Sequence, residues 1–409
     1  MDLERLDAGE YSQEKGVSSA PAEFSNMGVS DDQDILGLLK RDFDRGCFSW
    51  IGDYKDFILG YITFASSLHA WSDTIARPVG SFVVGSSSSG KTQFLECIKD
   101  LFPDEMVVNL TTASPKSLIY HCKDDPYFLR GKIVFVEEMS GLQDEDIQYL
   151  LRTLVTKGQA KHTTVQGGAV QIINIIGGIS LQSTGLNCDV LRDDTMNRMV
   201  LFNSDDSDQM TSKVVDNIKN RYLKSPKTDS GGTLPNYKIL FRNLTPYRVI
   251  IPFANRIKIQ ISSTENRRLT KIFMDLLATV TLLNQKSRTV DEQEKTVLAD
   301  ERDFYFLFDL ISKKSSSPSE TRLSVCEQVV YRAACRLSEG GVFTYADVKE
   351  SRPGYVLGKF NGYGATSIKN SLKNLTEIGL LKFTTSGKKK FYYLSRKEDV
   401  NPWGVIGLD

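Results

Sequence analysis

The chain has 409 residues, 40% hydrophobic and 25% charged, with 51 basic and 51 acidic side chains and a formal net charge of zero. That length and apolar content suit a soluble protein of two or three domains. No apolar run approaches the roughly 20 residues that cross a bilayer, and the first 35 residues are too polar and acidic for a targeting signal, so the expected location is cytoplasmic.

Residues 1–30, rich in Ser, Gly and acids without an apolar period, read as a disordered arm. A short helical region follows over 31–78, with one stripe at Ile35, Leu38, Leu39, Asp42 and Phe43 and another at Ile58, Tyr61, Ile62, Ala65 and Leu68. Both are expected to lean on the core that comes next.

Over 79–204 short β-rich runs alternate with helical stretches: Ser81–Val84, Met106–Leu110, Lys132–Val136 and Ile179–Thr184. Continuous apolar runs between helices predict an α/β fold with a parallel sheet buried on both faces. The region 205–313 reads as mainly helical, its clearest stripe formed by Leu269, Ile272, Phe273, Leu276, Leu277 and Val280.

A Lys/Ser/Pro linker at 314–321 then leads to a basic module at 322–396, which carries thirteen bases against five acids, whereas residues 1–35 carry nine acids against two bases. The module's predicted order is helix (Ser324–Leu337), short helix (Tyr345–Glu350), helix (Ala365–Ile378) and hairpin (Leu381–Leu394, turning at Ser386-Gly387), an order that predicts a winged helix, with a tail at 397–409. The cysteines Cys47, Cys97, Cys122, Cys188, Cys326 and Cys335 include no pair at metal-ligand spacing, which points to reduced, mostly buried thiols rather than zinc or disulfides.

The chemistry concentrates at Gly85-Ser86-Ser87-Ser88-Ser89-Gly90-Lys91-Thr92, after the apolar run Phe82-Val83-Val84 and before an amphipathic stretch. Glycines at both ends let backbone N–H groups close around phosphates at a helix N-terminus; Lys91 neutralises the β and γ oxygens and Thr92 ligates Mg²⁺. The buried run Lys132–Val136 ends in Glu137 and Glu138, the first placed to hold Mg²⁺ through water and the second to polarise the attacking water. These elements predict ATP and Mg²⁺ as ligands and ATP hydrolysis as the reaction.

A third polar group should reach the γ-phosphate from Ile179–Thr184. Ser183 is the first choice, with Gln182 and Thr184 open. Arg198, just before the apolar run Met199–Phe202, is the candidate arginine finger for a neighbouring subunit's ATP, with Arg192 as competitor.

The order of elements over roughly residues 79–310 resembles the MCM-like AAA+ helicases of phage, plasmid and integrative-element replication modules, often described as primase-helicase ATPases. The resemblance rests on GSSSSGKTQFLE, LTTASPKSLIY, KIVFVEEM, NRMVLF, YRVIIPFANRIKI and ENRRLTKIFMDLLATVTLL. It implies an AAA+ core with a helical lid and a C-terminal winged helix, a hexameric ring acting on single-stranded or forked DNA, and replication proteins of the same element as partners. It also implies that Arg267, or Arg268, reads the γ-phosphate from the lid.

Between the acidic strand and Ser183 lies a hairpin sequence, Gly158–Ile172, turning at Gln166-Gly167-Gly168. In the resembled enzymes a hairpin here grips DNA in the ring channel. Lys161 and His162 are its candidate grips, although the lysine expected at the tip is missing, and a purely structural hairpin stays open. In the basic module, Lys369 and Lys373 share a face of the third helix and Lys388, Lys389 and Lys390 occupy the wing, candidates for phosphate contacts. A docking role for that module is the alternative reading. For the whole chain the rivals are an ATP-switched initiator or helicase loader, and a protein-remodelling or defence ATPase.

Overall fold

The structure, a computed structural model, describes residues 34–408 apart from residue 73 and segments 111–114, 140–144, 167–168, 187–194, 196–197, 224–235, 260–264, 313–324, 339–340, 351–354, 357–358, 361–364, 378–380, 388 and 395–404. The acidic arm, the 314–321 linker, Arg192, Lys388 and the Gly167-Gly168 turn lie outside the described residues. Among the described residues no helix is long and apolar enough to cross a membrane. Cys97 and Cys122 are buried, and Cys47 and Cys326 half-buried, all as free thiols.

Helices α1 (Ile35–Asp44) and α2 (Tyr54–Ala65) are each started by an aspartate, Asp34 and Asp53, whose carboxylate accepts a first-turn backbone N–H. α2 does more than lean on the core. Every residue from Phe57 to Ala65 is buried, because FILGYITFA is apolar around the whole helix. A Cβ at Gly60 would lie 2.5 Å from Ile98 Cδ1 and 2.9 Å from Phe94, so the glycine lets α2 press against the helix that follows the phosphate loop.

Five strands make the central sheet: β1 (Gly80–Val84), β2 (Val107–Leu110), β3 (Ile133–Val136), β6 (Ser180–Gly185) and β7 (Met199–Asn203). Their order is β2-β3-β6-β1-β7 and all neighbours run parallel. β1, β3 and β6 are buried at every position, as strands covered on both faces must be. Helices α3 (Lys91–Lys99), α4 (Pro115–Asp124) and α5 (Glu145–Lys157) connect them, and the antiparallel pair β4 (Gln159–Gln166) and β5 (Ala169–Ile176) stands between α5 and β6.

The next region holds α6 (Asp208–Leu223), α7 (Tyr237–Arg242), α8 (Glu265–Leu283) and α9 (Glu301–Ser312), but also four short strands that helical periodicity did not predict. These are β8 (Arg248–Ile250), β9 (Ile257–Ile259), β10 (Val290–Asp291) and β11 (Thr296–Leu298), three of which form a sheet in the order β10-β11-β8. The α8 stripe is buried at Ile272, Phe273, Leu276, Leu277 and Val280. Asp303 is wholly buried yet satisfied, accepting from Arg288, Thr281, Asn284 and the Asp300 N–H.

In the basic module, α10 (Val325–Ser338), β12 (Phe343–Thr344), α11 (Tyr345–Glu350), the two-residue pair β13 (Tyr355–Val356) and β14 (Lys359–Phe360), α12 (Ala365–Glu377), β15 (Leu381–Ser386) and β16 (Lys389–Leu394) follow in that order. Val330, Ala334, Phe343, Val348, Ile368, Leu372, Leu375 and Leu381 form its core, and its sheet runs β12-β16-β15. Part of the expected tail is a strand: β17 (Val405–Leu408) pairs antiparallel with β9, with a register shift between Val405 and Gly407.

Candidate nucleotide site

The phosphate loop joins the carboxyl end of β1 to the N-terminus of α3. Gly90 caps the helix at φ 83°, a left-handed conformation suited to glycine, and Ser88 also has positive φ, at 65°. The chain is thereby folded tightly enough that Lys91 Nζ donates to two carbonyls of its own loop, Gly85 at 3.0 Å and Ser86 at 2.6 Å. Burial pushes the Lys91 pKa down and the Glu138 carboxylate pulls it back up. A half-desolvated ammonium at a helix N-terminus, where backbone N–H groups lack intrahelical partners, is suited to an anion.

Sequence reasoning missed the support of this loop. Ser204, one residue past β7, donates its N–H to Val84 O at 2.9 Å and sets its hydroxyl 2.7 Å from that of Ser89, which in turn lies 2.8 Å from Ser86 O. A Cβ at Gly85 would fall 1.6 Å from Ser204 Oγ, so the absence of a side chain at the first glycine leaves room for this contact. A lone serine after a strand carries no sequence signal; only the β1–β7 pairing reveals it.

β3 delivers Glu137 and Glu138, both exposed, at the same carboxyl end of the sheet, since Val136 pairs with Ser183 and Phe82 of β1 pairs with that same residue. β6 does lie between β3 and β1. Its three polar candidates part ways: Gln182 is buried in a ladder with Ser81 and Ser180, and Ser183 is wholly buried with its hydroxyl 3.5 Å from Thr184 O. Thr184, one residue nearer the carboxyl end, donates its hydroxyl to Glu137 O.

The arginines lie at the other end. Arg198 precedes Met199, which pairs with Gly80 at the start of β1, so about 16 Å of strand separates it from its own phosphate loop. There the half-buried Arg198 donates from Nη1 to Thr156 Oγ1 at 2.7 Å. Arg267 and Arg268 are exposed at the start of α8. One turn further, Lys271 bonds Ile75 O at 3.2 Å and Asp275 at 2.9 Å, and Asp275 accepts the Arg77 N–H at 3.3 Å. α8 therefore begins beside the segment that enters β1, not beside the loop that leaves it.

The β4–β5 register separates the two hairpin candidates. Lys161 pairs with Asn174 on the exposed face, together with Thr163, Val170 and Ile172, whereas His162 pairs with the buried Ile173 on the other. They do not form one grip. In the basic module Lys369 and Lys373 are both exposed on α12, Lys369 5.3 Å from the Tyr345 ring, and Lys389 and Lys390 are exposed on β16, Lys390 4.4 Å from the Phe383 ring.

A family model described as the MTBMA_p00010 P-loop domain matches residues 50–244. That span takes in α2, the phosphate loop, the acidic strand and the whole central sheet. Five parallel strands, a lysine-bearing loop at a helix N-terminus and this match define a P-loop nucleotide-binding domain of the NTPase class. No curated protein matches the chain.

The residues present fit a nucleotide with its metal ion, on the grounds of the desolvated Lys91 ammonium, the left-handed Gly90 turn and two exposed carboxylates at the end of β3. Lys91 and the loop N–H groups would hold the phosphates; Thr92 and Glu137 would hold Mg²⁺, which supplies neutralisation of charge developing on the transferred phosphoryl group. Glu138 would accept the proton of the attacking water.

Proposed function

We propose that the chain is an ATP-driven DNA translocase or helicase of the AAA+ kind, working as a ring in which each hydrolysis site is completed by the next subunit, in the manner of MCM-like enzymes of mobile-element replication. The observation that carries the reading is the position of Arg198, at the end of the sheet away from its own phosphate loop. An arginine there serves catalysis only by reaching the nucleotide of another copy. Arg267 begins a helix at that same end and would act across the same boundary. Within the subunit, Thr184 takes the sensing role, since its hydroxyl couples β6 to the backbone of Glu137.

Support for DNA as the track comes from the basic module, whose order of helix, strand, helix, short strand pair, helix and hairpin resembles a winged helix with a β13–β14 pair inserted before its third helix, and whose exposed lysines lie on α12 and β16. Such contacts bind phosphate with little sequence choice. The test is ATPase activity of Lys91→Ala and Arg198→Ala proteins, alone and mixed. Lys91→Ala alone should be inactive and Arg198→Ala alone slow, and mixing should restore activity, because an intact loop from one faces an intact arginine from the other. Normal hydrolysis by Arg198→Ala alone would remove the shared site. Strand displacement on a forked substrate separates a motor from an ATP-switched initiator or loader, which would bind the fork without opening it, and from a protein-remodelling ATPase, which would ignore it.

A further inference from the structure

We propose that Thr156, in the last turn of α5, is a positioning residue that aims Arg198 at the neighbouring subunit's nucleotide; this rests on the shared-site reading above. A hydroxyl has one proton to give. Thr156 Oγ1 gives it to Arg152 O at 2.7 Å, which leaves the oxygen's lone pairs as acceptors, and Arg198 Nη1 occupies one of them at 2.7 Å. The guanidinium is thus held by an acceptor whose own orientation is fixed by the helix.

The helix is fixed in turn. The Thr156 carbonyl belongs to the final turn of α5, where carbonyls lack intrahelical donors and the helix dipole is negative, and it accepts from Arg77 Nη1. Arg77 is itself anchored through its backbone N–H to the buried carboxylate of Asp275, which Lys271 also holds, on α8. At the base of Arg198, its backbone N–H donates to Thr195 O at 3.0 Å, closing a turn just before β7. Two arginines from different segments therefore converge on one threonine, one through the main chain and one through the side chain.

α5 gives this clamp a mechanistic direction. It is the helix that follows Glu137 and Glu138 at the phosphate end of the sheet, and its last turn lies at the arginine end. Any tilt of α5 imposed at the acidic strand moves Thr156 and, with it, the acceptor that orients Arg198. One subunit's nucleotide state is thereby transmitted to the arginine it offers to the next, with Thr156 as the last link.

The test compares Thr156→Val, which keeps the shape and removes the acceptor, with Thr156→Ser, which restores it, in the full-length oligomer hydrolysing ATP. Arg198→Ala and the Arg198→Ala/Thr156→Val double variant complete the cycle, with sedimentation to establish equal assembly. Thr156→Val should lower kcat about tenfold and leave KM within about twofold, because an arginine that is present but misdirected fails at the transition state. Thr156→Ser should return to within about twofold of the parent. The double variant should be no slower than Arg198→Ala.

If Arg198→Ala hydrolyses ATP at the parental rate, the shared site itself is lost. If Arg198→Ala is slow but Thr156→Val is normal, only the positioning role is lost. Thr156→Ser falling as far as Thr156→Val, a further drop in the double variant, or a changed oligomer would each show that Thr156 acts through packing rather than through Arg198, and would overturn the proposal.

Discussion

Ser204 Oγ lies 2.7 Å from Ser89 Oγ, so the last strand of the central sheet holds the phosphate loop that leaves the first. The two residues are far apart in sequence and follow the neighbouring parallel strands β1 and β7. Ser204→Ala removes that brace while leaving Lys91 and Thr92 in place. It should weaken nucleotide binding roughly three- to tenfold, the cost of about one hydrogen bond, with little change in thermal midpoint; calorimetry with a non-hydrolysable nucleotide measures it. An unchanged dissociation constant would show that the loop holds its shape unaided.

Gly85→Ala attacks the same contact from the other side. The new methyl group would enter the space of Ser204 Oγ, and the loop must open to make room. Nucleotide binding should fall further than in Ser204→Ala, and the Gly85→Ala/Ser204→Gly double variant should recover part of it. Absence of recovery in that titration would place the conflict at Ser89 Oγ, 3.0 Å from the same Cβ position, rather than at Ser204.

His69 carries the pH prediction. Thr279 commits its hydroxyl proton to Asp275 O, so the ring donates from Nε2 to Thr279 and leaves Nδ1 buried without a partner. Burial accordingly pushes its pKa down to about 4 from 6.5. Because the folded value is the lower one, the unfolded chain takes up the proton first, and stability falls as pH drops from 6.5 towards 4. Nearby Asp275 works in the opposite sense: burial raises its pKa to about 6, so its contribution is full below 3.8 and is lost as pH rises through 6. His69→Gln should remove roughly 3 kcal/mol of the acid-side loss, read from denaturant midpoints between pH 4 and 7. A pH profile parallel to the parent's would mean that the ring is charged in the fold.

Asp303 and Arg288 form the most enclosed ion pair among the described residues, with side chains 0% and 7% exposed. The carboxylate also holds Thr281, Asn284 and the Asp300 N–H, knitting α8 to α9. Arg288→Ala strands a buried charge and should cost about 3–5 kcal/mol, seen as a lowered melting temperature, whereas Lys295→Ala, which breaks an exposed pair with Glu292, should leave the melting temperature nearly unchanged.

If the basic module grips phosphate, Lys389→Ala/Lys390→Ala should weaken binding of a single-stranded oligonucleotide and lower the slope of log affinity against log salt by about 1.4. Equal slopes for parent and variant would assign that face to a protein.

The phosphate loop was legible because its chemistry is local: two glycines, a lysine and a threonine at fixed spacing after an apolar run. The acidic pair was legible for the same reason. What escaped depended on partners distant in sequence. Ser183 and Thr184 differ by one residue, and one residue of register exchanges the two faces of a strand, so only the pairing with β3 shows which hydroxyl meets Glu137. Lys161 and His162 look like neighbours in sequence and face opposite ways for that same reason. α2 misled differently: the stripe at Ile58, Tyr61, Ile62 and Ala65 is one face of a helix that is apolar all round, and every residue from Phe57 to Ala65 is buried. Arg198 was identifiable as an arginine before a strand, but its distance from the phosphates follows from which end of a parallel sheet that strand begins.

The pairing of β17 with β9 gives the basic module two attachments. α9 ends the segment that precedes the module, and the strand at 405–408 comes back to that same segment after it. Among the described residues β9 has β17 as its strand partner, so deleting 405–408 would leave the backbone groups of Ile257–Ile259 without the ladder that now pairs them.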